Sequence, residues 1–506
     1  MKPHQTLIFL FGVFFSIALI MLVFPADGIR ISNDKKLEMP KLSQLFEESI
    51  RYANIDGIIG ENVVDTSYLL DYDQIVYRNV FKNDSQNFKV VLEVVDTLSI
   101  EVGSISSIQR LQFPRDDKTV LDNFFSDLQN PKEKVLRIVH YGDSQLEGDR
   151  ITSVIRQNLQ KQFGGGGPGL LPALQPYNYG ITIKQSNSGN WLRYNTMEHS
   201  NSVKGQRFGI LAGFSRFAPI RGISNDSTSS NLTDTTVKSG YSGTITFSRS
   251  DMAYQNNNYY KQVRLFYGYN QSAVKVSLFA NDQLIEDKIL PANKQLMTAK
   301  WSVNSPEKLV FKFSGGDSPE IYAIGLDAEK GIAVDNVPQR GSAGFVFTTQ
   351  NKELLKAMLT ELDVRLLILE FGGNVTPYIT DNYDYYGNMF GKQLAVIREI
   401  KPDISIIVIG PADMSRNQGG TYVSYPNIPN ISATLRRAAF KYNAVYWDMY
   451  EAMGGKNSMP SWVYHDPPLA GKDFIHFTRL GSEIISKIFY NALIMEYNDY
   501  LKRKNK

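Results

Sequence analysis

The longest apolar run lies at the start of the chain. Residues 7–24 (LIFLFGVFFSIALIMLVF) carry no charge and follow Lys2. As a helix, this run is about as long as the hydrocarbon core of a bilayer is thick, roughly 30 Å. Phe24 stands where a small residue is preferred before a cleavage site. We therefore expect residues 1–26 to form an uncleaved signal anchor, with a removed signal peptide as the alternative, and the rest of the chain to lie outside the cytoplasm.

Two later stretches alternate short β-branched runs with segments of helical period. Val135–Gly142 is an apolar run, and residues 149–163 repeat apolar side chains at i, i+3, i+4 and i+8. The alternation returns after about residue 340, with strands predicted at 364–370, 405–410 and 444–447 and helices at 393–400 and 481–500. This pattern is typical of a parallel sheet covered by helices on both faces. It predicts a three-layer α/β fold.

The residue composition and the hydrophobic pattern between these stretches are different. Ser, Asn, Thr and Tyr dominate, and short alternating runs such as Gly243–Phe247 and Leu309–Phe313 are separated by turn residues. Such a pattern predicts an antiparallel β-sandwich, jelly-roll-like, inserted into the α/β domain. The predicted order is an anchor (1–26), an N-terminal extension (27–130), the first α/β part (131–184), the inserted sandwich (185–333) and the second α/β part (334–506).

Composition narrows the chemistry. The 506 residues include 54 Lys plus Arg against 51 Asp plus Glu, and this balance gives no indication of a nucleic-acid partner. The chain has no cysteine. Disulfides, thiol nucleophiles, Cys-based zinc sites and a lipoprotein anchor are therefore excluded. Any covalent catalysis must use another nucleophile.

Ligands of open parallel sheets bind at the carboxyl ends of the strands, so reactive residues are sought there. Ser144 follows the predicted strand Val135–Gly142, where its hydroxyl can face a cleft. Taken alone, a serine at this position is more often a helix cap. Leu146 occupies the place of the last glycine in a G-x-S-x-G elbow, so the α/β-hydrolase motif is absent.

Two further segments carry suitable side chains. Phe371-Gly372-Gly373-Asn374 follows the predicted strand 364–370, and an Asn side chain there can donate to an oxyanion. Asp473 precedes His476 by three residues, just before the last helix. A carboxylate at that spacing can bind the imidazole Nδ1 and leave Nε2 to take a proton from serine.

Ser144, Asn374, Asp473 and His476, in this order, resemble the blocks of the SGNH (GDSL-type) hydrolase family. The resemblance implies Ser144 as nucleophile, His476 as general base and then acid, and Asp473 as its orienter. It also implies an oxyanion hole made by the Ser144 N–H, the Gly341 N–H and the Asn374 side chain, with no cofactor and no metal. Gly344 is the alternative to Gly341. Gln145, Leu146 and Val375 depart from the residues usual in the family.

An SGNH domain interrupted by a β-sandwich in an exported protein resembles bacterial peptidoglycan O-acetylesterases, whose inserted module is similar to a carbohydrate-binding domain. The resemblance implies a serine esterase that removes O-acetyl groups from a cell-surface or extracellular polysaccharide. Polysaccharide O-acetyltransfer through the same triad and a non-catalytic, membrane-anchored glycan-binding role are the alternatives. We also expect that replacing about residues 200–330 with a short Gly/Ser linker largely spares turnover of a small aryl acetate and sharply lowers activity on an acetylated polysaccharide.

Three other features have plainer interpretations. Gly164–Gly169 lacks the Gly-Lys-Ser/Thr of a phosphate loop, so it is interpreted as a flexible or tightly packed loop. His465-Asp466, a rival to the last dyad, is assigned to the cleft or the surface. His140 lies within a predicted buried strand and is expected to be a core histidine.

Overall fold

The computed structural model of the chain describes residues 3–25, 29–32, 35–37, 50–61, 109–129, 134–177, 180–199, 202–220 and 240–505. The chain divides into two compact units, Met1–Tyr52 and Ala53–Lys506. The first contains helix α1 (Pro3–Val23) and an antiparallel pair, β1 (Ile29–Ser32) and β2 (Lys35–Leu37). Helix α1 is apolar and long enough to cross a membrane, and its side chains are largely exposed. Most of the predicted extension 27–130 lies outside the described residues.

The second unit contains the remaining elements. Its first part comprises α2 (Asp56–Glu61), α3 (Asp122–Gln129), β3 (Val135–Gly142), α4 (Thr152–Phe163) and β4 (Gly169–Leu171). The middle part is built of strands: β5 (Ile183–Asn187), β6 (Leu192–Asn195), β7 (Gly213–Arg216), β8 (Tyr241–Arg249), β9 (Gln262–Gly268), β10 (Val274–Ala280), β11 (Gln283–Leu290), β12 (Leu296–Ser302), β13 (Lys308–Gly315), β14 (Glu320–Asp327) and β15 (Gly331–Pro338). The last part comprises α5 (Lys352–Glu361), β16 (Val364–Glu370), α6 (Asp384–Ile400), β17 (Ser405–Ile409), β18 (Ser415–Gln418), β19 (Thr421–Ser424), α7 (Ile428–Lys441), β20 (Val445–Trp447), α8 (Met449–Ala452), α9 (Ser458–Tyr464) and α10 (Arg479–Lys504).

A five-stranded parallel sheet forms the centre of the α/β domain, in the order β15-β3-β16-β17-β20. Alternate strand residues point to opposite faces. One face packs on a core that includes α3, α4 and α10, and the other on a core that includes α5, α6 and α7. The predicted three-layer α/β fold is confirmed.

Strand β15 is an addition to the strands predicted from the sequence. It pairs with β3 from Gly331↔Val135 to Pro338↔Gly142, which makes it the edge strand next to β3. Its polar residues Asp335 and Asn336 break the apolar pattern by which buried parallel strands are recognised. They are there because Asp335 pairs with the buried Arg137 of β3.

The inserted region forms two antiparallel sheets, β11-β10-β13-β8-β5 and β12-β9-β14-β7-β6, and β4 also pairs with β14. Strand β4 thus joins the sandwich from inside the stretch 131–184. Inward-facing aromatic residues of both sheets fill the space between them: Trp191, Phe217, Phe247, Phe311 and Phe313. The predicted antiparallel sandwich is present.

The sandwich and the parallel sheet share one hydrophobic core. Val139 and Tyr141 of β3 pack in the same cluster as Phe214 and Tyr322 of the sandwich. The Tyr141 hydroxyl also donates to the Ile210 carbonyl, at 2.5 Å. Replacing residues 200–330 with a linker would expose this core to water. This shared core argues against the expected sparing of small-ester turnover, because burial of the sheet face depends on the insertion.

Residues 109–129, predicted to belong to the extension, pack on the α/β domain. The Trp447 indole donates to the Gln109 carbonyl at 2.8 Å, and Gln112 forms a bridge with Tyr446 of β20. Phe125 contacts the ring of Tyr497 in α10. These residues cover one face of the sheet and are part of its core.

Candidate active site

Ser144 lies directly beyond the carboxyl end of β3, in a short 3₁₀ turn over Ser144–Asp149. Asp143 precedes it, and one Asp143 carboxylate oxygen accepts a hydrogen bond from the Gln145 N–H at 3.0 Å. Gly142 is the last strand residue, and a Cβ there would lie 2.7 Å from the Leu146 side chain. The close packing of Leu146 on Gly142 explains why the chain turns sharply before the serine.

Ser144, His476 and Asp473 form a continuous hydrogen-bonded chain. Ser144 Oγ lies 2.8 Å from His476 Nε2, and His476 Nδ1 lies 2.7 Å from Asp473 Oδ2. The other Asp473 oxygen accepts from the N–H groups of His476 and Ile475, at 3.1 and 3.0 Å. The structure thus brings together three side chains that are 332 residues apart at their widest.

The Asp473 carboxylate remains ionised when it binds the imidazole. Partial burial alone would raise the pKa of Asp473, but the hydrogen bonds from the His476 ring and the two N–H groups outweigh it, and the net pKa is lowered. An ionised carboxylate on Nδ1 fixes the tautomer that leaves Nε2 facing the serine. The His476 and Asp473 side chains are 32% and 48% exposed, so the dyad is open to a large substrate.

Gln145, noted from the sequence only as a departure from the usual family residues, and Arg150, not noted at all, join the serine loop to the histidine loop. The Gln145 amide donates to the Ile475 carbonyl at 2.7 Å. Arg150 donates to the carbonyls of Ser144 and Phe477, both at 3.0 Å. Both contacts fix the spacing of Ser144 and His476. Gln145 is one of the departures from the usual family residues, and this contact gives it a positioning role.

Asn374 lies on the opposite side of Ser144, in a turn after β16. Its amide nitrogen is 3.1 Å from the Ser342 carbonyl and 3.3 Å from Asp143 Oδ2. Gly341 is exposed, has a φ of 78° and immediately precedes Ser342, in a turn closed by the Ser342 N–H and the Gln339 carbonyl. Gly341 therefore neighbours the group that Asn374 contacts.

Gly344, the alternative glycine, has a packing role. A Cβ on Gly344 would lie 2.9 Å from Phe390 and 3.0 Å from Phe371, and the residue is buried. Its φ of 93° also favours glycine. The exposed Gly341 is the better candidate for an N–H directed at a substrate.

Buried carboxyl groups lie beneath the serine loop. The pKa of Asp143 is raised to about 7, mainly by burial; the charges of Glu370 and Glu147 also raise it, and the hydrogen bonds from Gln145 and Asn374 lower it. Glu370, at the end of β16, is 3.2 Å from the ring of His140. His140 is fully buried and also contacts the Thr152 hydroxyl at 3.0 Å, so it is the core histidine that was expected.

A cavity of about 280 Å³ opens beside the triad. Ser144, His476 and Asn374 line it, and so does Tyr378, whose side chain is 70% exposed. The cavity is large enough for an acetyl group and part of its alcohol. Tyr378 presents an aromatic face at the rim, and this type of surface packs well against a sugar ring.

The two rival motifs make their contacts away from the triad. The exposed His465 has its Nδ1 2.8 Å from the Pro467 carbonyl, two residues on, and the imidazole that contacts Ser144 is that of His476. In the Gly164–Gly169 run, a Cβ on Gly165 or Gly167 would lie 2.4 or 2.1 Å from a backbone oxygen. That run is therefore the tightly packed loop, because β14 and β15 approach it too closely for side chains.

Residues 297–484 match the model of the GDSL-like Lipase/Acylhydrolase family. The matched segment includes Gly341, Asn374, Asp473 and His476. Ser144 lies upstream of it, across the inserted strands, and only the fold returns it to the other four. No curated protein matches the chain.

Solved structures extend the likeness across both domains. A peptidoglycan O-acetylesterase, 18% identical, aligns over 77% of this chain and 99% of its own, with a TM-score of 0.58. This score shows a shared fold that includes the insertion. A family two carbohydrate esterase from Clostridium thermocellum, 8% identical over 52% and 94% of the two chains, has a TM-score of 0.21. An acetyl xylan esterase, 12% identical over 32% and 81%, has a TM-score of 0.25. Both of these scores are too low to bear on the fold of this chain.

Proposed function

We propose that this GDSL-type acylhydrolase is a serine esterase that removes O-acetyl groups from a polysaccharide outside the cytoplasm, such as peptidoglycan. The observation that carries the proposal is the hydrogen-bonded chain Ser144–His476–Asp473 at the edge of an open cavity. This arrangement suits acyl transfer, since the serine, its base and the base's orienter are in contact before substrate arrives.

In the first half of the reaction, Ser144 Oγ attacks the acetyl carbonyl while its proton passes to His476 Nε2. The carbonyl oxygen becomes an oxyanion, which the N–H groups of Ser144 and Gly341 and the Asn374 amide stabilise. The carbon–oxygen bond to the sugar then breaks. His476 returns the proton to the sugar oxygen, and an acetyl-serine remains.

In the second half, His476 takes a proton from a water molecule, and the resulting hydroxide attacks the acetyl-serine. Collapse of the second oxyanion breaks the bond to Ser144 Oγ, which recovers the proton from His476, and acetate leaves. Asp473 stays ionised throughout and stabilises the imidazolium that forms twice. The residues of this chain complete the cycle through acid–base chemistry.

The polysaccharide substrate is supported by the architecture. In the sequence, the sandwich is inserted between Ser144 and the other site residues. In the structure, it packs on the parallel sheet that carries them. The solved structure that aligns with this chain over 99% of its own length is that of a peptidoglycan O-acetylesterase. The exposed His476 and the rim residue Tyr378 leave the site accessible to a polymer.

Location follows from the N-terminus. Helix α1 would anchor the chain in a membrane, with the catalytic unit outside the cytoplasm. Membrane fractions of expressing cells, stripped with carbonate, should retain the unprocessed protein, and protease added outside the membrane should cleave the catalytic unit. Recovery of the unprocessed chain in the soluble fraction would contradict the anchor.

The decisive test of the function is acetate release from a panel of O-acetylated polymers. The full chain should release acetate from at least one of O-acetylated peptidoglycan, acetyl xylan and acetylated pectin, and Ser144→Ala should release none. Products should also be analysed for acetyl groups moved to another glycan. Transfer with little free acetate would make the protein an acetyltransferase, and inertness of the wild type on every ester would overturn the proposal.

A further inference from the structure

A second cavity lies between the sandwich and the parallel sheet. Its volume is about 90 Å³, room for about three waters at roughly 30 Å³ each, or for one carboxylate group. Thr182, Arg193 and Ser215 line it from the sandwich side, and Asn336 and Gln339 line it from the end of β15. The remaining lining is mostly apolar, so the cavity at the junction of the two domains has apolar walls and a small polar group of side chains.

Arg193, on β6, is the unbalanced charge of this cavity. Among the described residues, none forms a hydrogen bond or an ion pair with its half-buried guanidinium. Burial lowers the pKa of Arg193 against the attraction of Glu198, yet an arginine stays charged at any physiological pH. Glu198 itself accepts from the Asn195 amide at 2.7 Å.

Other buried arginines of the chain differ from Arg193 in being paired. Arg137 contacts Asp327 and Asp335, and Arg216 contacts Asp317 at 2.6 Å. Such pairing offsets the cost of removing a guanidinium from water. The half-buried Arg193 has part of that cost without the offset, so a ligand anion would gain a charge-assisted bond there.

The acidic groups beside the cavity do not compete for Arg193, because they have cations of their own. Asp149 pairs with Arg156 at 2.7 Å. Glu147 pairs with Arg340, and the Tyr177 hydroxyl hydrogen-bonds to Glu147. Among the residues that line the cavity, Asp149 and Arg156 offset each other and Arg193 is the remaining charge, while the exposed Glu198 acts on it only from outside the cavity.

The cavity adjoins the catalytic site through one short turn. Gln339 lines the cavity, Gly341 borders the Met197 side chain of the sandwich at 3.9 Å from a would-be Cβ, and Ser342 contacts Asn374 through its carbonyl. The turn 339–342 therefore connects the cavity to the oxyanion side of the catalytic site.

We infer that Arg193 binds a carboxylate of the glycan chain, and that the enzyme thereby prefers acidic acetylated polysaccharides to neutral ones. The inference rests on the proposed function. Two sources supply a carboxylate on a sugar: the uronic acids of polymers such as pectin, and the lactyl or peptide carboxylates of peptidoglycan. The guanidinium fork matches the two oxygens of either source.

The kinetic test compares Arg193→Gln with Arg249→Gln in the full-length, detergent-solubilised chain. Arg249 is 40% exposed on the same sandwich and lies outside the cavity, so it controls for loss of one charge. We expect Arg193→Gln to raise KM for an acidic acetylated polymer roughly 10-fold or more, the usual value of a lost charge-assisted bond, with kcat little changed. Arg193→Lys should recover part of the loss.

Acetylated pectin, O-acetylated peptidoglycan and neutral acetyl xylan serve as the three substrates. A rise in KM confined to pectin indicates a uronate site, and a rise confined to peptidoglycan indicates a site for its lactyl or peptide carboxylate. An equal rise on neutral xylan, or wild-type KM values on both acidic polymers, would overturn the inference while leaving the esterase proposal intact.

A binding measurement separates this inference from the catalytic one. Oligogalacturonate and deacetylated peptidoglycan fragments are titrated calorimetrically into Ser144→Ala, with neutral xylo-oligosaccharides as the reference. Binding that is salt-sensitive and lost in the Ser144→Ala, Arg193→Gln double variant supports the site even if the wild type proves inert as an esterase. Unchanged binding in the double variant would refute the site.

Discussion

Strand β3 has a buried charged residue near each end, and the two have different surroundings. Arg137, near its start, lies between Asp327 at 2.7 Å and Asp335 at 2.5 Å, and Asp327 also binds Arg264 at 2.9 Å. Asp143, just past its end, has no cation as a partner among the described contacts and has the carboxylate of Glu370 for a neighbour.

The different surroundings of Arg137 and Asp143 indicate different roles. The Arg137 cluster has balanced charges and joins the parallel sheet to the sandwich, which is the arrangement expected of a structural contact. The Asp143 side has an excess of negative charge, a raised pKa and an open cavity above it, which is typical of catalytic sites. Charge balance therefore distinguishes the two ends of one strand better than burial, since all of these groups are buried.

The largest expected effect is the loss of Ser144. Ser144→Ala removes one partly buried hydroxyl, so kcat for p-nitrophenyl acetate should fall roughly 10³-fold or more. The free energy of unfolding should stay within about 1 kcal/mol of the wild type. Ser302→Ala, an exposed serine at the end of β12, is the control and should change neither quantity. Near-normal rates in Ser144→Ala would remove Ser144 from the mechanism.

The opposite result is expected in the balanced cluster. Asp327→Asn leaves Arg137 and Arg264 with one carboxylate between them, so the free energy of unfolding should fall by about 3–5 kcal/mol. Folded enzyme should retain its turnover rate. The control is Asp287→Asn, which breaks an exposed pair with Lys275 and should leave the free energy of unfolding nearly unchanged. Equal losses in denaturant titrations of the two variants would contradict the structural role.

A somewhat smaller effect is expected at the oxyanion side. Asn374→Ala removes the side-chain donor but leaves Ser144 and His476 in place, so kcat should fall about 10²- to 10³-fold with KM little changed. Steady-state kinetics on p-nitrophenyl acetate measure both constants. A rise in KM with normal kcat would instead make Asn374 a substrate-binding residue.

The smallest effect concerns pH and distinguishes the two ends of β3 by sign. The folded-state pKa of Asp143 is raised to about 7, so the folded protein binds more protons than the unfolded chain and stability falls as pH rises toward 7. Between about pH 5 and pH 7, the free energy of unfolding of Asp143→Asn should therefore rise by about 2 kcal/mol relative to that of the wild type.

Asp327 supplies the opposite sign. Its pKa is lowered because the arginine charges outweigh burial, so its stabilisation is present above the ordinary carboxyl pKa and is lost only as pH falls below about 4. Denaturant titrations at several pH values measure both variants. A pH-independent difference for Asp143→Asn would show that the Asp143 carboxyl is not perturbed.

The sequence predicted most of the fold where periodicity reflects burial. Strands 135–142 and 364–370 have apolar runs that match their bounds in the structure. Strand β15 was not predicted, because Asp335 pairs with Arg137 on another strand and such long-range pairing leaves no local pattern. The start of α6 at Asp384 was also missed, since Tyr385 and Gly387 obscure the helical period that begins clearly only at 393.

The catalytic side chains of the candidate site could be identified from the sequence. Ser144 and Asn374 each follow a predicted strand and Asp473 and His476 precede the last helix, and the resemblance to the SGNH family combined them into one site. Arg150, Gln145 and Arg193 were not singled out, because their contacts or lack of contacts depend on how loops cross in three dimensions. A single sequence carries no signal for an unpaired arginine.

The central claim, that Ser144 is the nucleophile activated by His476, is tested most directly by active-site labelling. The full chain is treated with a fluorophosphonate, which phosphonylates an activated serine with loss of fluoride, and the modified peptide is identified by mass spectrometry. We predict one equivalent of label on Ser144, none in Ser144→Ala, and greatly slowed labelling in His476→Ala. Label on a different serine, or equal labelling in all three proteins, would contradict the claim.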